Sequence, residues 1–182
     1  TNPSLMKKAG IKDYEAFAKD ILSTIKKKPI SFEVFSDDFN DMERQAMKIT
    51  SWGDNVYVKI PITNTKKESS KELIKRLAEK KVKLNITAIF TVDQVKTALA
   101  SLDNNVPSII SVFCGRIADT GRDPIPLMND CLNEMKINSK SELLWASPRE
   151  LINIIQADKI GCHIITVSND IIKKLQFINY DL

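Results

Sequence analysis

The sequence has few of the features that mark membrane-spanning, exported or zinc-binding proteins. Its mostly apolar runs, such as residues 106–114, are far shorter than the roughly 20 residues of a membrane-spanning helix. No basic and then apolar leader opens the sequence, so we expect an unexported, soluble protein of the cytoplasm. Histidine occurs once, at His163, and no two cysteines have CxxC spacing, so a metal site is not expected.

Two further absences concern disulfides and nucleic acid. Cys114, Cys131 and Cys162 are odd in number and lie in apolar surroundings, which favours reduced core thiols in a reducing compartment. The net charge is +4, but acidic residues such as Glu68 and Glu72 alternate with the basic ones, as on solvated helix faces. Because no aromatic platform accompanies the basic residues, nucleic acid is not an expected partner.

What is present is an alternation of short apolar strands and amphipathic helices. With 182 residues, 43% of them apolar and 27% charged, the chain can bury one large core. The periodicity predicts strands at residues 30–35, 56–60, 83–90, 106–113, 142–146 and 162–167. It predicts helices at residues 12–27, 38–50, 67–80, 92–102, 124–135, 148–157 and 169–175, with Asp38, Ser147 and Ser168 at helix starts.

Repeated β–α units predict an α/β fold with parallel strands. The commonest closed form of that pattern is the (β/α)8 TIM barrel, and the open doubly wound sheet is the alternative. The opening TNPS is similar to the end of a further strand that runs into a helix. We therefore expect a single (β/α) barrel domain over residues 1–182 that lacks its first strand and its C-terminal helix, being truncated at both ends.

Polar side chains alternate with apolar ones in four of the predicted strands. In a barrel, one set of alternate residues faces the helices and the other faces the barrel axis. The apolar residues predicted to face the helices are Ile30, Phe32, Val34, Val56, Val58, Ile60, Leu84, Ile86, Ala88, Ile110 and Val112. The residues that remain for the axis are Glu33, Lys59, Asn85, Thr87, Ser111 and Phe113.

These axial residues favour Schiff-base chemistry. Burying a lone lysine is costly, so an axial Lys59 must be paired, neutral or functional. A neutral amine can attack a carbonyl group, and a carboxylate such as Glu33 can move the protons that this chemistry requires. Asn85, Thr87 and Ser111 can hydrogen-bond substrate hydroxyls or hold a water. The alternative is that they are ordinary polar residues of a barrel interior.

Two arginines follow predicted strands at the end where barrels bind their ligands. Arg116 comes after the strand at 106–113, and Arg149 comes after the strand at 142–146. Paired guanidinium donors at that position can bind a phosphate group. Each arginine can instead form a surface ion pair, and this alternative stays open.

The motifs TNPSLM, SFEV, VYVKIPIT, KLNITAIF, SVFCGRIAD and WASPRE, in this order, resemble the transaldolase family of (β/α)8 barrels. The resemblance covers essentially the whole chain. It implies that Lys59 forms the Schiff base, Glu33 acts through a bound water and Thr87 helps to place that water. It further implies that a dihydroxyacetone unit is contacted by Asn2, Asn85 and Ser111. The phosphate group would be bound by Arg116 and Arg149. Small family members have a separate TPR motif a few residues later, which offers a competing alignment for Arg149. The spacing from Ser147 to Gly161 favours aligning ASPR with the family's ASFR or ASFK.

The family contains both transaldolases and fructose 6-phosphate aldolases. The sequence resembles the transferases at Glu33, where the aldolases tend to have Gln, and at Phe113, where they tend to have Tyr. Because Phe113 has no hydroxyl beside the enamine, protonation and release of the enamine should be disfavoured. The family's first-strand aspartate, an acid and base for the cleaved hydroxyl, has no counterpart in the printed sequence.

The resemblance implies transfer of a dihydroxyacetone unit from a ketose phosphate to an aldose phosphate, as in the pentose phosphate pathway. Fructose 6-phosphate or sedoheptulose 7-phosphate would be the donor, and neither a metal nor an organic cofactor is expected. The alternatives are an aldolase that releases free dihydroxyacetone and a catalytically silent barrel that serves as a binding scaffold. A homo-oligomer also stays open, because small members of the family form rings.

Overall fold

The computed structural model describes residues 6–7 and 9–181, in which parallel strands alternate with helices. The strands are β1 (Ile30–Glu33), β2 (Val56–Pro61), β3 (Leu84–Ile89), β4 (Ser108–Val112), β5 (Ser141–Trp145) and β6 (Ile164–Ile165). The helices are α1 (Tyr14–Thr24), α2 (Phe39–Thr50), α3 (Lys71–Glu79), α4 (Val92–Leu99), α5 (Cys114–Ala118), α6 (Pro124–Met135), α7 (Ile152–Lys159) and α8 (Asn169–Lys173). A 3-10 helix, Lys174–Phe177, follows α8.

The six strands form one sheet in the order of the chain, β1-β2-β3-β4-β5-β6, and every neighbouring pair is parallel. A doubly wound sheet would reverse its strand order at one point, and within the described residues this sheet has no such reversal. The sheet therefore winds in one direction, as in a (β/α) barrel. The prediction of an α/β fold with parallel strands is confirmed, and the sheet is consistent with part of a TIM barrel.

Two hydrophobic clusters show which strand residues face the helices. The larger cluster joins the helices to the sheet and contains most of the apolar residues predicted for that face, among them Phe32, Val58 and Ile110. A smaller cluster of alternate strand residues contains Tyr57, Ile109, Leu144 and Ala146, with Phe113 and Ile164 packed against it. This second face is the axial one, so the predicted alternation is confirmed over most of the sheet.

The alternation predicted for β3 is wrong at Ala88, because the strand contains a β-bulge. Ile86 is opposite Ile110, but the next pair joins Ile89 to Val112, so β3 has one more residue than β4 between the two pairs. Ala88 adopts a left-handed backbone conformation, with φ of 56°. The extra residue reverses the faces beyond it. Ile89, which is fully buried, therefore takes the core position predicted for Ala88.

The predicted helix starts are confirmed at two residues and wrong at a third. The side chain of Asp38 accepts a hydrogen bond from the Asp41 amide at 2.9 Å, and Ser168 accepts one from the Ile171 amide at 3.4 Å. Ser147 starts no helix, because its φ is 58° and α7 begins only at Ile152. The short helix α5, directly after β4, was not predicted.

Gly115 allows α5 to contact the backbone that follows β5. The Gly115 amide donates a hydrogen bond to the Ala146 carbonyl at 3.3 Å. A Cβ atom at Gly115 would lie 1.5 Å from the carbonyl oxygen of Ser147, far closer than two non-bonded atoms can approach. Any other residue at this position must therefore separate the two backbones.

We expect Gly115→Ala to lower the free energy of unfolding by about 1–3 kcal/mol or more, the usual cost of overpacking a tight contact. Denaturant unfolding measures the change. Gly53→Ala is a matched control, because the nearest atom to a Cβ at Gly53 is 3.4 Å away. Equal unfolding midpoints for the two variants would contradict the proposed backbone contact.

Candidate active site

Glu33 and Lys59 lie side by side on the axial face, at the carboxyl ends of β1 and β2. The two residues are opposite each other in the strand register. Lys59 Nζ and Glu33 Oε2 are 3.8 Å apart, and their side chains are only 18% and 23% exposed. The separation is within the roughly 4 Å limit of an ion pair but longer than a direct hydrogen bond of about 2.7–3.2 Å. A contact of this length can be bridged by a water.

The carboxyl group of Glu33 is partly withdrawn from solvent beside Lys59. Burial raises the pKa of Glu33 above its ordinary value, although the neighbouring charge of Lys59 opposes this shift. A carboxyl group with a raised pKa is a better general acid and base at neutral pH than an ordinary exposed glutamate.

A chain of polar side chains lies beside Lys59 on the same face. Asn85 is opposite Lys59 in the register of β2 and β3. Ser111 Oγ donates a hydrogen bond to Asn85 Oδ1 at 2.7 Å, and Asn85 Nδ2 donates one to Ser31 Oγ at 2.9 Å. Asn85 and Ser111 are both buried. These two hydrogen bonds fix the Asn85 amide in one orientation, with its oxygen toward Ser111 and its nitrogen toward Ser31.

Ser31 was not among the predicted site residues. It lies two residues before Glu33 on β1, so the same alternation that places Glu33 on the axial face also places Ser31 there. That signal is present in the sequence, and it could have been used.

Thr87 is also buried on β3, two residues beyond Asn85 and opposite Pro61. Within the described part of the chain, its hydroxyl has no hydrogen-bond partner. Buried polar groups are nearly always paired with protein or water. The Thr87 hydroxyl therefore remains able to bond a water or a ligand.

Tyr14, on α1, reaches the end of β1 and contacts the backbone of Glu33. The Glu33 amide donates a hydrogen bond to the Tyr14 hydroxyl at 2.7 Å. The Tyr14 ring packs edge-on against Phe32, Phe35 and Trp52, with centroid distances of 5.9, 4.7 and 5.6 Å. Tyr14 was not among the predicted site residues, because its contact with Glu33 spans 19 positions and follows no strand periodicity.

Phe113 follows Ser111 on the same face, directly after β4. It is half-buried and packs against the axial cluster of Tyr57, Ile109, Leu144 and Ala146. Its ring meets that of Phe90 edge-on, with 5.6 Å between the centroids. The Phe113 ring therefore contacts both the axial apolar cluster and the ring of Phe90.

The two arginines differ in their surroundings. Arg116 is exposed on α5 and has no ion-pair partner among residues 6–7 and 9–181. Arg149 forms a two-bond ion pair with Asp119, with Nη2–Oδ2 and Nε–Oδ1 distances of 2.5 and 3.2 Å. Both side chains of that pair are about half exposed, at 47% and 49%. An exposed pair of this kind contributes little stability, so an anion of higher charge can displace Asp119 from the Arg149 guanidinium group.

Asn2 lies outside the described residues. Cys114, Cys131 and Cys162 are free thiols, and burial raises the pKa of each, that of Cys131 to about 12. In the described ranges, no three His, Cys, Asp or Glu side chains are arranged to hold a metal ion. No described helix is long and apolar enough to cross a membrane.

Comparisons with known proteins agree on one family. A family model described as transaldolase/fructose-6-phosphate aldolase matches residues 1–181. A probable transaldolase of Dehalococcoides mccartyi is 32% identical over 177 residues, which cover 96% of this chain and 78% of that protein. A probable transaldolase of Methanococcus maripaludis is 33% identical, with 96% and 77% covered. One of Nitrosopumilus maritimus is 32% identical, with 96% and 75% covered.

Proposed function

Because the chain belongs to the transaldolase/fructose-6-phosphate aldolase family, we propose that it is a transaldolase whose nucleophile is Lys59. The names of its relatives support this activity. The observation that carries the assignment of Lys59 is its position 3.8 Å from Glu33, largely removed from solvent. The six parallel strands would belong to a closed (β/α)8 barrel formed by one domain.

The proposed reaction begins with the amine of Lys59. Its lone pair attacks the ketone carbon C2 of a ketose phosphate, and the carbinolamine loses water to give an iminium ion. The C3–C4 bond then breaks, its electron pair forms an enamine on Lys59, and the C4 hydroxyl loses its proton as an aldose phosphate departs. The enamine carbon attacks the aldehyde of a second aldose phosphate, and hydrolysis of the new iminium ion restores Lys59. The family's acid and base, an aspartate of its first strand, would take the proton of the C4 hydroxyl.

Glu33 would exchange protons with the carbinolamine and the iminium ion. At 3.8 Å from Nζ it lies at the distance where one water can bridge the two groups. The Thr87 hydroxyl, buried and without a protein partner in the described chain, can bind the same water. This arrangement supports proton transfer through a water rather than directly to Lys59.

Asn85 and Ser111 would bind the hydroxyls of the dihydroxyacetone unit, together with Asn2. Both side chains are buried and already hydrogen-bonded to each other, so little rotamer freedom is lost when substrate binds. Phe113 would cover the enamine with an apolar ring. That ring offers no hydroxyl to protonate the enamine, which favours transfer over release of dihydroxyacetone.

The proposed setting is the cytoplasm and the pentose phosphate pathway, with fructose 6-phosphate or sedoheptulose 7-phosphate as donor. Three unpaired cysteines support a reducing compartment. No residue in the proposed mechanism requires a metal or an organic cofactor.

Borohydride trapping tests the nucleophile. The protein is incubated with fructose 6-phosphate and sodium borohydride, digested, and mapped by mass spectrometry. We expect the reduced dihydroxyacetone adduct on the peptide that contains Lys59, and no adduct without the sugar. Absence of the adduct, or an adduct on another lysine alone, would contradict the assignment.

Arg116 and Arg149 would bind the phosphate group of the substrate. Charge-assisted hydrogen bonds contribute about 1.5–3 kcal/mol each, so we expect Arg116→Ala to raise KM for fructose 6-phosphate by about 10- to 100-fold. The effect should be absent with unphosphorylated fructose, because that substrate lacks the anion. Steady-state kinetics with both sugars measure the difference.

Asp119→Asn provides the matched test for Arg149. Because Asp119 accepts hydrogen bonds from Nε and Nη2 of Arg149, its neutralisation should lower KM for fructose 6-phosphate and leave KM for fructose unchanged. An unaltered KM in both Arg116→Ala and Asp119→Asn would contradict a phosphate site formed by these arginines.

A further inference from the structure

We infer that Phe90 is a positioning residue: it holds the ring of Phe113 over the Lys59 enamine and thereby keeps the reaction on the side of transfer. The inference rests on the proposed function, and it concerns a residue that no part of that function uses. Four observations carry it: the β-bulge at Ala88, the ring geometry, the backbone contacts of both residues, and the exposure of Phe90.

The bulge in β3 turns Phe90 toward the axial face. Without it, Phe90 would share a face with Ile86 and Ala88 and point toward the helices. The left-handed residue Ala88, with φ of 56°, adds one position and sends Ile89 into the core instead. Phe90 therefore emerges on the same face as Asn85, beside Phe113.

The two rings pack edge to face. Their centroids are 5.6 Å apart and their planes meet at 71°, a favourable aromatic geometry. Such a contact restricts rotation of the Phe113 side chain about its first two torsions. Phe113 packs against the axial cluster that contains Tyr57, which lies two residues before Lys59 on β2. In the proposed mechanism the Phe113 ring covers the atoms bound to Lys59.

Backbone hydrogen bonds hold both residues at fixed positions. The Phe113 amide donates to the Ile89 carbonyl at 2.9 Å, which ties the end of β4 to β3. The Phe90 amide donates to Gln94 Oε1 at 2.8 Å, at the start of α4. The ring pair is thus supported from both sides rather than formed by a chance loop contact.

The exposed part of the Phe90 side chain contributes no hydrophobic stabilisation to the fold. The residue is 40% exposed, although a phenylalanine gains most when it is buried. Within the described residues, its aromatic contact is to Phe113 alone. The contact with Phe113 is thus the aromatic interaction that the structure shows for this ring.

The enamine on Lys59 has two fates that Phe113 can influence. It can attack an aldehyde carbon, which forms a new carbon–carbon bond and completes transfer. Alternatively it takes a proton on carbon to give an iminium ion, and one water then releases dihydroxyacetone and the free amine. An apolar ring that excludes water and acids slows the second path. A Phe113 ring that is free to rotate would shield the enamine less well.

The test measures how the enamine partitions in Phe90→Ala and Phe90→Leu. Fructose 6-phosphate is supplied with and without erythrose 4-phosphate as acceptor, and free dihydroxyacetone is measured against the transfer product. We expect Phe90→Ala to raise the ratio of release to transfer by about three- to tenfold, and Phe90→Leu to raise it less. If Phe90→Ala does not fold, the leucine variant alone decides the result.

Phe177→Ala is the matched control. Phe177 is 52% exposed and packs edge-on against Tyr180, with 5.9 Å between the ring centroids. The alanine variant therefore removes a similar ring pair that is distant in sequence from β3. We expect its ratio of release to transfer to equal that of the unaltered protein. An equal rise in Phe177→Ala, or no rise in either Phe90 variant, would overturn the inference.

A double-mutant cycle shows whether Phe90 acts through Phe113. In a Phe113→Leu background the effect of Phe90→Ala on the ratio should disappear, because the ring that it positions is gone. Additive effects would overturn the inference. Borohydride trapping at Lys59 distinguishes failure of this inference from failure of the proposed function. An adduct at Lys59 with an unchanged ratio of release to transfer rejects the role of Phe90. Absence of the adduct in the unaltered protein rejects the proposed function itself.

Discussion

Replacement of Lys59 by methionine is expected to reduce transfer between fructose 6-phosphate and erythrose 4-phosphate by about 10⁴- to 10⁶-fold, the usual loss when a catalytic nucleophile is removed. Methionine retains the length and apolar stem of lysine but has no amine to attack a ketone. Lys59→Arg should be equally inactive, because a guanidinium group keeps its proton and forms no Schiff base. Coupled spectrophotometric assays of the aldose phosphate product measure the rates.

Lys83→Met is the control for Lys59→Met. Lys83 lies just before β3, at the opposite end of the sheet, where its amine donates to the Asp54 carbonyl at 2.6 Å. We expect transfer by this variant to stay within about twofold of the unaltered protein. Circular dichroism spectra should show that all three variants are folded. Appreciable transfer by a folded Lys59→Met protein would exclude Lys59 as the nucleophile.

Replacement of Glu33 by alanine is expected to lower kcat by about 10²- to 10⁴-fold, the range of a lost general acid and base. Glu33→Gln should lose less, because its amide can still hold the bridging water in position. Comparing kcat of the two variants therefore separates the contribution of placing the water from that of exchanging protons. Single-turnover borohydride trapping should show that Lys59 still forms its adduct in both variants, but more slowly.

The pH dependence of stability gives an independent test of Glu33. Its pKa is raised in the folded protein by burial, so the folded state holds this proton more tightly than the unfolded state. The contribution of Glu33 is therefore favourable at low pH and is lost as pH rises from its unfolded pKa through its folded pKa. Glu33→Gln should remove that decline, which urea unfolding across this interval measures. Identical pH profiles for the two proteins would show that Glu33 is not desolvated.

If the Glu33→Ala variant transferred as fast as the unaltered protein, Glu33 would have no part in the mechanism. The same result with an intact Lys59 adduct would leave the nucleophile in place and require another proton carrier. The two largest predicted losses thus test different atoms of one site.

Strand periodicity was sufficient to predict much of this arrangement. Regular alternation along β1 and β2 placed Glu33 and Lys59 on one face, and the structure has them opposite each other in register. The same rule placed Asn85 and Ser111 together. These predictions depend only on the extended backbone, whose side chains alternate whatever their surroundings.

The rest depended on features that periodicity does not contain. The bulge at Ala88 and the left-handed backbone at Ser147 involve residues other than glycine, which give no sequence signal for such conformations. The contact from Tyr14 to Glu33 and the ion pair of Arg149 with Asp119 join residues 19 and 30 positions apart. Only the packing of helices on the sheet determines such pairs.

The direct register between β1 and β2 has a further consequence. Adjacent strands are about 4.8 Å apart, so the hydrogen-bonded backbone itself sets the spacing between acid and amine. Loops beyond the strand ends can lengthen, shorten or change sequence over evolutionary time without altering that spacing. Under the proposed mechanism, loops that bind the sugar can therefore change while the spacing of Glu33 and Lys59 is kept.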